Sequence, residues 1–227
     1  GRHMNQKILV KNRPEISASQ LKWTGLITML IDHVGLIFFP DLWILDVIGR
    51  ISFPIFAFTT AVGFMYTRNI VSYGLRLFAF AVVSEPFYDL AFFGTPVYPG
   101  RQNVLFTFAL GVLMLYFWLY FENMVFRCFS VLMVLLAAEF FATDYSSMGL
   151  LMILFCYCFY NENLKRDISL AAVNVLLMGG RQMFAVLSLI PLHLYSGEKG
   201  RDMKKIFYLF YPLHLALLAG IRWWIEQ

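Results

Sequence analysis

The first apolar stretch of the chain, residues 21–39, is long enough to cross a lipid bilayer, which takes roughly 20 residues of helix. Comparable stretches follow along the whole sequence. Of the 227 residues, 60% are hydrophobic and only 14% are charged. Water-soluble domains carry about 25% charged residues, so this composition argues against a soluble domain. The sequence therefore predicts an all-α fold, a polytopic transmembrane helical bundle.

Charged residues, prolines and glycines divide the chain into about nine apolar runs, which we interpret as membrane segments. The sixth to eighth runs are shorter than a full span, so we expect them to be tilted, broken or re-entrant. The runs cover residues 21–39, 44–66, 73–93, 104–121, 125–142, 147–160, 168–180, 182–195 and 206–224.

Lysine and arginine concentrate in every second connection between the runs, the pattern that the positive-inside rule associates with cytoplasmic loops. We therefore expect a cytoplasmic N-terminus, and an odd number of spans puts the C-terminus outside. The net charge of +4 is interpreted as this topology signal, so no nucleic-acid partner is predicted. The basic residues of these connections are Lys7, Lys11, Arg13, Lys22, Arg68, Arg76, Arg127, Lys165, Arg166, Lys199, Arg201, Lys204 and Lys205.

The sequence shows no linker and no soluble domain. Gly1, Arg2 and His3 precede Met4 and are typical of a tag remnant, and we find no cleavable signal peptide ahead of the first run. We therefore divide the chain into residues 1–20, a tag remnant with a cytoplasmic N-terminal segment, and residues 21–227, a single transmembrane helical domain.

An adjacent acid and histidine, Asp32 and His33, lie well inside the first apolar run. An ionisable side chain within a span costs at least ~2.5–3.5 kcal/mol on insertion scales, so it indicates a functional site. Sequence neighbours point about 100° apart on a helix, and the two side chains should face different surroundings. We expect Asp32 to pair with Arg50 and His33 to face a cavity as a candidate general base. A hydrogen-bonded packing histidine is the alternative.

A second group of polar residues lies where the second and third runs approach the expected outer surface. Asp46 and Arg50 are one helical turn apart, which predicts a local ion pair. Glu85 and Asp89 are also one turn apart. Two like charges repel unless a cation separates them, and Arg50 and Arg101 are the candidates. A structural salt-bridge network is the alternative interpretation of this group.

The last connection between runs is strongly basic, with Lys199, Arg201, Lys204 and Lys205 close together. Such a cluster is either ordinary flanking charge or a clamp for an anionic cofactor, because guanidinium and ammonium groups bind phosphate well. In the run that follows, Pro212 should loosen the helix, so that His214 lies beside freed carbonyls and faces the cations. The histidines have no metal-ligand spacing, and no metal is predicted.

Several strings in the chain closely resemble the TraX family of polytopic bacterial membrane proteins, whose founding member acetylates the N-terminus of conjugative pilin. The resemblance covers residues 20–218 in the family's order. It is carried by LITMLIDHVGLIFFP, IGRISFPIFAF, GFMYTRN, YGLRLFAFAVVSEPFYDLAFFG, QNVLFTFALGVL, LYSGEKG and KIFYLFYPLHLALL.

This resemblance implies an integral acetyltransferase of the bacterial cytoplasmic membrane. It would move an acetyl group from cytoplasmic acetyl-CoA to an amine or hydroxyl of an extracytoplasmic peptide or glycan. On this view His33 and Asp32 are catalytic, and an oxyanion donor lies nearby. The acceptor would meet Arg50, Glu85, Asp89, Arg101 and Asn103. The acetyl-CoA would meet Arg68, Arg76, Lys199, Arg201, Lys204, Lys205, Tyr211 and His214.

Two other classes of protein remain open at this point. One is a small solute or lipid transporter, in which intramembrane charges bind solute or relay protons. The other is a structural subunit of a secretion or conjugation complex, which would not need His33. Within the enzyme hypothesis, direct transfer and an acetyl-histidine intermediate are both compatible with the sequence.

Overall fold

A computed structural model describes residues 15–227, and within that range every regular element is helical. The tag remnant and Lys7, Lys11 and Arg13 lie outside the described residues. The helices are α1 (Ala18–Phe38), α2 (Trp43–Gly49), α3 (Ser52–Tyr66), α4 (Ile70–Phe93), α5 (Val104–Tyr120), α6 (Met124–Phe140), α7 (Ser146–Cys158), α8 (Asn163–Ala171), a π-helical segment (Ala172–Met178), a 3₁₀ segment (Gly180–Ser188), α9 (Leu189–His193) and α10 (Lys204–Ile225).

Four stretches of the described chain are long and apolar enough to cross a membrane: α1, α2 with α3 (Trp43–Tyr66), α4 and α10. The chain is therefore an all-helical membrane protein, as the composition predicts. Helices α5, α6 and α7 are shorter, at 17, 17 and 13 residues.

Polar side chains set where the long helices begin. Ser17 caps α1 in a reciprocal box with Gln20, and Asn69, Asn103 and Asn123 accept backbone N–H bonds at the starts of α4, α5 and α6. These caps satisfy donors that have no partner in the first turn of a helix. The starts of these helices are thus determined by local sequence, while the arrangement of the helices is determined by their packing.

The core is built from phenylalanine and aliphatic side chains at the centre of the bundle. Helix α1 packs on α2, α3 and α10, helix α4 packs between α10 and α5, and α7 closes the bundle against α3, α5 and α6. One end of the bundle, where Ile16 pairs with Tyr195, is called the Ser17 end. The other, where Gln102 pairs with Thr143, is called the Arg50 end.

The run predicted at 44–66 is divided in the structure. Helix α2 ends at Gly49 and α3 begins at Ser52, because Pro54 has no N–H to donate to the carbonyl of Arg50. The break allows α2 to pack along the end of α1 while α3 enters the core.

The runs predicted at 168–180 and 182–195 are broken helices, in line with their short length. Gly179 and Gly180 have φ of +65° and +56°, and they reverse the chain between the π-helical and 3₁₀ segments. Two buried amides join the arms of this hairpin, with the Gln182 Nε2 donating to Asn174 Oδ1 at 2.8 Å. Irregular backbone is tolerated here because protein surrounds it and supplies hydrogen-bond partners.

Candidate functional site

Two histidines from the first and last helices meet inside the bundle. The Nδ1 of His33 lies 2.9 Å from the Nε2 of His214, and both residues are buried. The two rings are nearly parallel, at 13°, with their centroids 5.1 Å apart. The ring of Phe92 stands edge-on against His33, also at 5.1 Å. Sequence reasoning identified both histidines but assigned them to different sites.

The hydrogen bonds around this histidine pair determine which nitrogen carries each proton. His214 Nδ1 lies 2.9 Å from the carbonyl oxygen of Phe210, and a carbonyl only accepts, so Nδ1 is protonated. With both rings neutral, as burial among apolar side chains favours, His214 Nε2 is the acceptor and His33 Nδ1–H donates to it. The Nε2 of His33 is then left with a free lone pair. This is the atom that a general base needs.

Asp32 and Arg50 lie at the Arg50 end, close to the turn that joins α2 and α3. Arg50 Nη2 is 3.6 Å from Asp32 Oδ1, so the structure brings together the two residues that the sequence predicted as partners. Arg50 Nε also donates to Asp46 at 2.7 Å, which confirms the local pair. The second oxygen of Asp46 accepts from Arg181 at 3.0 Å, so the 3₁₀ segment is tied to α2.

Gly49 is what allows Asp32 to approach α2. A Cβ on Gly49 would overlap the Cβ and carboxylate of Asp32. One oxygen of Asp32 is buried and has no hydrogen-bond partner among residues 15–227. Asp32 is therefore closely packed, but its carboxylate lacks part of its hydrogen bonding. In native proteins, buried polar groups without partners are usually found at functional or strained sites.

Sequence reasoning missed Tyr145, whose hydroxyl lies close to the guanidinium of Arg50. Its ring stacks on Phe53 with the centroids 3.8 Å apart. The φ of Tyr145 is +62°, and the neighbouring Ala142 and Ser146 are also in the left-handed region, which is strained for residues other than glycine. Backbone strain of this kind is concentrated at functional sites. The signal is a backbone conformation, which no residue motif reveals.

Glu85 and Asp89 are held by neutral donors. Asp89 accepts the backbone N–H of Tyr98 at 2.8 Å, and Glu85 accepts the backbone N–H of Asn103 at 3.0 Å together with its side-chain amide. The expectation that Arg50 or Arg101 separates the two acids is wrong, because within the described chain both arginines bond other carboxylates.

The two acids also retain unused oxygens. Asp89 Oδ1 and Glu85 Oε1 are buried without a hydrogen-bond partner in residues 15–227, and so is the Oγ of Ser84. Asp89 is only 2% exposed. It lies about one helical turn from Phe92, the residue that packs against His33. The acids thus lie on the helix whose Phe92 packs against His33, and they lack a counter-ion in the described part of the chain.

Arg101 lies at the rim of the Arg50 end rather than in its interior. Its Nη2 is 2.5 Å from Asp144 Oδ1, and the arginine side chain is 55% exposed. The negative charge of Asp144 raises the pKa of Arg101, so the guanidinium stays charged at any physiological pH. Asn103, by contrast, is fully buried and serves as the cap of α5 as well as the donor to Glu85.

The basic residues lie at the Ser17 end, where the connection before α10 folds over the start of α1. The carbonyls of Glu198 and Lys199 accept the backbone N–H groups of Ala18 and Ser19 at 2.8 and 3.2 Å. Arg68, Lys199, Arg201, Lys204 and Lys205 are exposed there.

Not all of these cations are equally free to bind an anion. Lys199 lies 3.7 Å from Asp202, whose pKa is lowered by the backbone N–H of Lys204 and by Lys199. Arg76 is deeper. It is half-buried close to Tyr208, and its Nε has no partner in residues 15–227.

The structure does not place His214 with these cations. It is buried three residues beyond Tyr211, and its ring contacts His33, Phe210 and Tyr211. The expectation that His214 faces the basic cluster is therefore wrong. Helix α10 also continues through Pro212 without a break. Within the described residues, no three His, Cys, Asp or Glu side chains form a group that could hold a metal ion.

These features define the class of the protein: an all-helical membrane protein with a buried histidine pair and a charged cluster beside it. The chain belongs to the TraX family, whose model matches residues 17–222. It is 32% identical to the probable fimbrial assembly protein FimC of Dichelobacter nodosus, over 93% of this chain and 98% of that protein. It is 27% identical to the protein TraX of Escherichia coli, over 88% and 84% of the two chains. No solved structure matches the chain significantly.

Proposed function

We propose that the protein is a membrane acetyltransferase that moves the acetyl group of acetyl-CoA to an extracytoplasmic amine, such as the N-terminus of a pilin-like peptide. The single observation that carries this proposal is the buried histidine pair, because its hydrogen bonds leave His33 Nε2 as a free base. A structural subunit of a fimbrial complex has no need for such a pair.

The proposed orientation has the Ser17 end in the cytoplasm of a bacterium. Of the 14 lysines and arginines in residues 15–227, the four outside that end are Arg50, Arg101, Arg181 and Arg222. This imbalance follows the positive-inside rule. We propose nine passes, of which the two arms of the Gly179–Gly180 hairpin are short ones. The protein is then a multi-pass protein of the cytoplasmic membrane.

In the proposed reaction, the acceptor's ammonium group first gives one proton to a carboxylate of Glu85 or Asp89, and His33 Nε2 takes a second proton as the neutral nitrogen bonds the acetyl carbon. The carbon–sulfur bond of the thioester breaks, and the thiolate of coenzyme A leaves and takes up a proton. His214 holds the His33 ring in the correct tautomer. In other enzymes, too, a neighbouring group orients the catalytic base in this way. General-base catalysis of this kind contributes about 10²–10⁴-fold to a rate.

The proposed binding site for the acceptor amine consists of Glu85 and Asp89. Two buried carboxylates that have only neutral partners favour a ligand with positive charge, since an unpaired buried charge is costly. A primary ammonium group supplies that charge and three N–H donors, enough for the unused oxygens of both acids. A hydroxyl acceptor supplies neither. The site therefore favours an amine over a hydroxyl.

The proposed binding site for acetyl-CoA, the acetyl donor, is at the Ser17 end. Acetyl-CoA is cytoplasmic, and its phosphates suit the exposed cations Arg68, Lys199, Arg201, Lys204 and Lys205. Arg76 points inward from that end towards Tyr208 and provides a cation on the way to the histidines. Tyr211 lies beside His214 and is better placed near the acetyl group than near the phosphates.

The test uses the full chain, purified in detergent, with acetyl-CoA and a short peptide that has a free N-terminus. Release of free thiol and the mass of the peptide report transfer. His33→Ala should abolish transfer in a protein that still folds, whereas His193→Ala should not, because His193 is exposed and bonds Asp167. Equal turnover by His33→Ala and the unaltered protein would remove His33 from catalysis.

The acceptor is tested separately. Asp89→Asn should raise the KM for the peptide about tenfold or more, since a buried charge partner is worth at least ~1.4 kcal/mol. It should leave slow hydrolysis of acetyl-CoA without peptide unchanged. A peptide with a blocked N-terminus should not be modified. If only hydroxyl-bearing glycans are acetylated, the amine assignment fails while the enzyme assignment stands.

A further inference from the structure

A small cavity lies inside the bundle, where α1, α3, α5 and α10 meet. Its walls include Leu26 and Met29 of α1, Phe56 of α3, Leu105 of α5 and Tyr211 of α10. All five residues are buried, with at most 5% of their surface exposed. The centre of a water-sized sphere can move through about 10 Å³ of this cavity, so it holds one group of about that size.

The residues around the cavity present only apolar surface to it. Two polar groups of the lining residues, the Tyr211 hydroxyl and the Val104 backbone N–H, lie beside each other and can pair. A buried water needs about two to four polar partners, so a water molecule is poorly held here. An apolar group would fill the space and gain the dispersion contacts that an empty cavity lacks. The cavity therefore suits a group as small as a methyl.

The cavity lies next to the histidine pair. Met29 and His33 are four residues apart on one face of α1, which is about 6 Å along the helix axis. The ring of Tyr211 lies 5.4 Å from that of His214. In general-base transfer the base is ~3 Å from the attacking nitrogen, and this nitrogen is ~3 Å from the carbonyl carbon, so the acetyl methyl belongs within about 8 Å of His33 Nε2. A cavity bordered by Met29 and Tyr211 is close enough to meet this requirement.

We infer that this cavity receives the methyl group of the acetyl group and so limits the transferred acyl chain to two carbons. The inference rests on the proposed acetyl transfer and adds selection of the acyl length to it. Phe207 also borders the cavity, and it belongs to the first turn of α10. The cavity therefore extends towards the basic connection, the side from which coenzyme A is proposed to enter.

The walls of the cavity are packed tightly enough to resist a longer acyl chain. The Phe56 ring lies between Phe108 and Phe207, with centroids 6.1 and 5.6 Å away. A Cβ on Gly25 would lie 2.8 Å from the same ring, so α1 holds it from another side. An added methylene in a well-packed core forces side chains out of their rotamers. One methylene more in an apolar pocket typically lowers kcat/KM by about 10–200-fold, so a propionyl group should be transferred poorly.

The test compares acetyl-CoA with propionyl-CoA as donors, using the full chain in detergent and the peptide acceptor, and measures kcat/KM for each. The unaltered protein should prefer acetyl-CoA about tenfold or more. Met29→Ala enlarges the cavity and should remove that preference. Met114→Ala is the matched control, because Met114 is also buried but lies outside the cavity. The control should keep the preference for acetyl-CoA.

The ratio of the two donors is measured within one preparation, so a variant that folds only in part still reports it. Leu26→Val is a milder enlargement and should reduce the preference by a smaller factor. An unchanged ratio in both Met29→Ala and Leu26→Val, or equal use of the two donors by the unaltered protein, would overturn the inference and leave the proposed function standing. If the unaltered protein transfers no acyl group from either donor, the proposed function fails and the inference fails with it.

Discussion

Replacement of His214 by phenylalanine tests the proposed role of the histidine pair. Phenylalanine keeps a ring in the same buried position but removes the Nε2 that accepts the His33 Nδ1–H bond. A buried donor left without a partner costs about 1–3 kcal/mol, so the apparent melting temperature in detergent should fall. The His33 ring is then free to rotate and to place its proton on Nε2, where it can no longer act as a base.

The expected kinetic result is a fall in kcat of about 10²-fold or more, which corresponds to ~2.7 kcal/mol of transition-state free energy. The KM for acetyl-CoA should stay within about twofold, since His214 lies far from the basic connection. His214→Gln is the matched variant, because its amide oxygen can accept the same bond and should restore part of kcat. A raised KM for acetyl-CoA with kcat unchanged would refute this reasoning and return His214 to the donor site.

Three further changes probe the surroundings of the site. Gly49→Ala should displace the Asp32 side chain and cost about 1–3 kcal/mol in thermal denaturation, whereas Gly220→Ala, where an added Cβ meets nothing within 4 Å, should be neutral or stabilising. Tyr145→Phe removes a hydroxyl beside the Arg50 guanidinium and should cost about 0.5–1.5 kcal/mol of stability and lower kcat. Unchanged stability and turnover would show that the hydroxyl is unimportant. Arg201→Ala should raise the KM for acetyl-CoA more than that for the peptide, and this effect should shrink at high salt; an unchanged KM would leave Arg201 as a topology signal only.

Much of the membrane architecture can be predicted from the sequence, because long apolar runs and helix caps are local signals. The Asp32–Arg50 pair was also predictable, since a buried acid needs a cation and Arg50 is the next arginine along the chain. The contact between His33 and His214 was not, because the residues are 181 positions apart and only the packing of α10 on α1 sets their relative height. The same applies to the counter-ions of Glu85 and Asp89, where charge alone suggested arginines and the structure uses backbone N–H groups instead.

The length of the connection before α10 determines the height of His214 relative to His33. Its backbone is fixed to the start of α1 by Ala18 and Ser19, about 21 Å of helix below His33. Gly200, at φ +67°, lies so close to the hydroxyls of Ser17 and Ser19 that no side chain fits there. One residue more or less at the start of α10 would shift His214 by 1.5 Å and turn it by 100°. Changes of length in this exposed loop would therefore uncouple two histidines in the membrane interior, although no residue of the pair is altered.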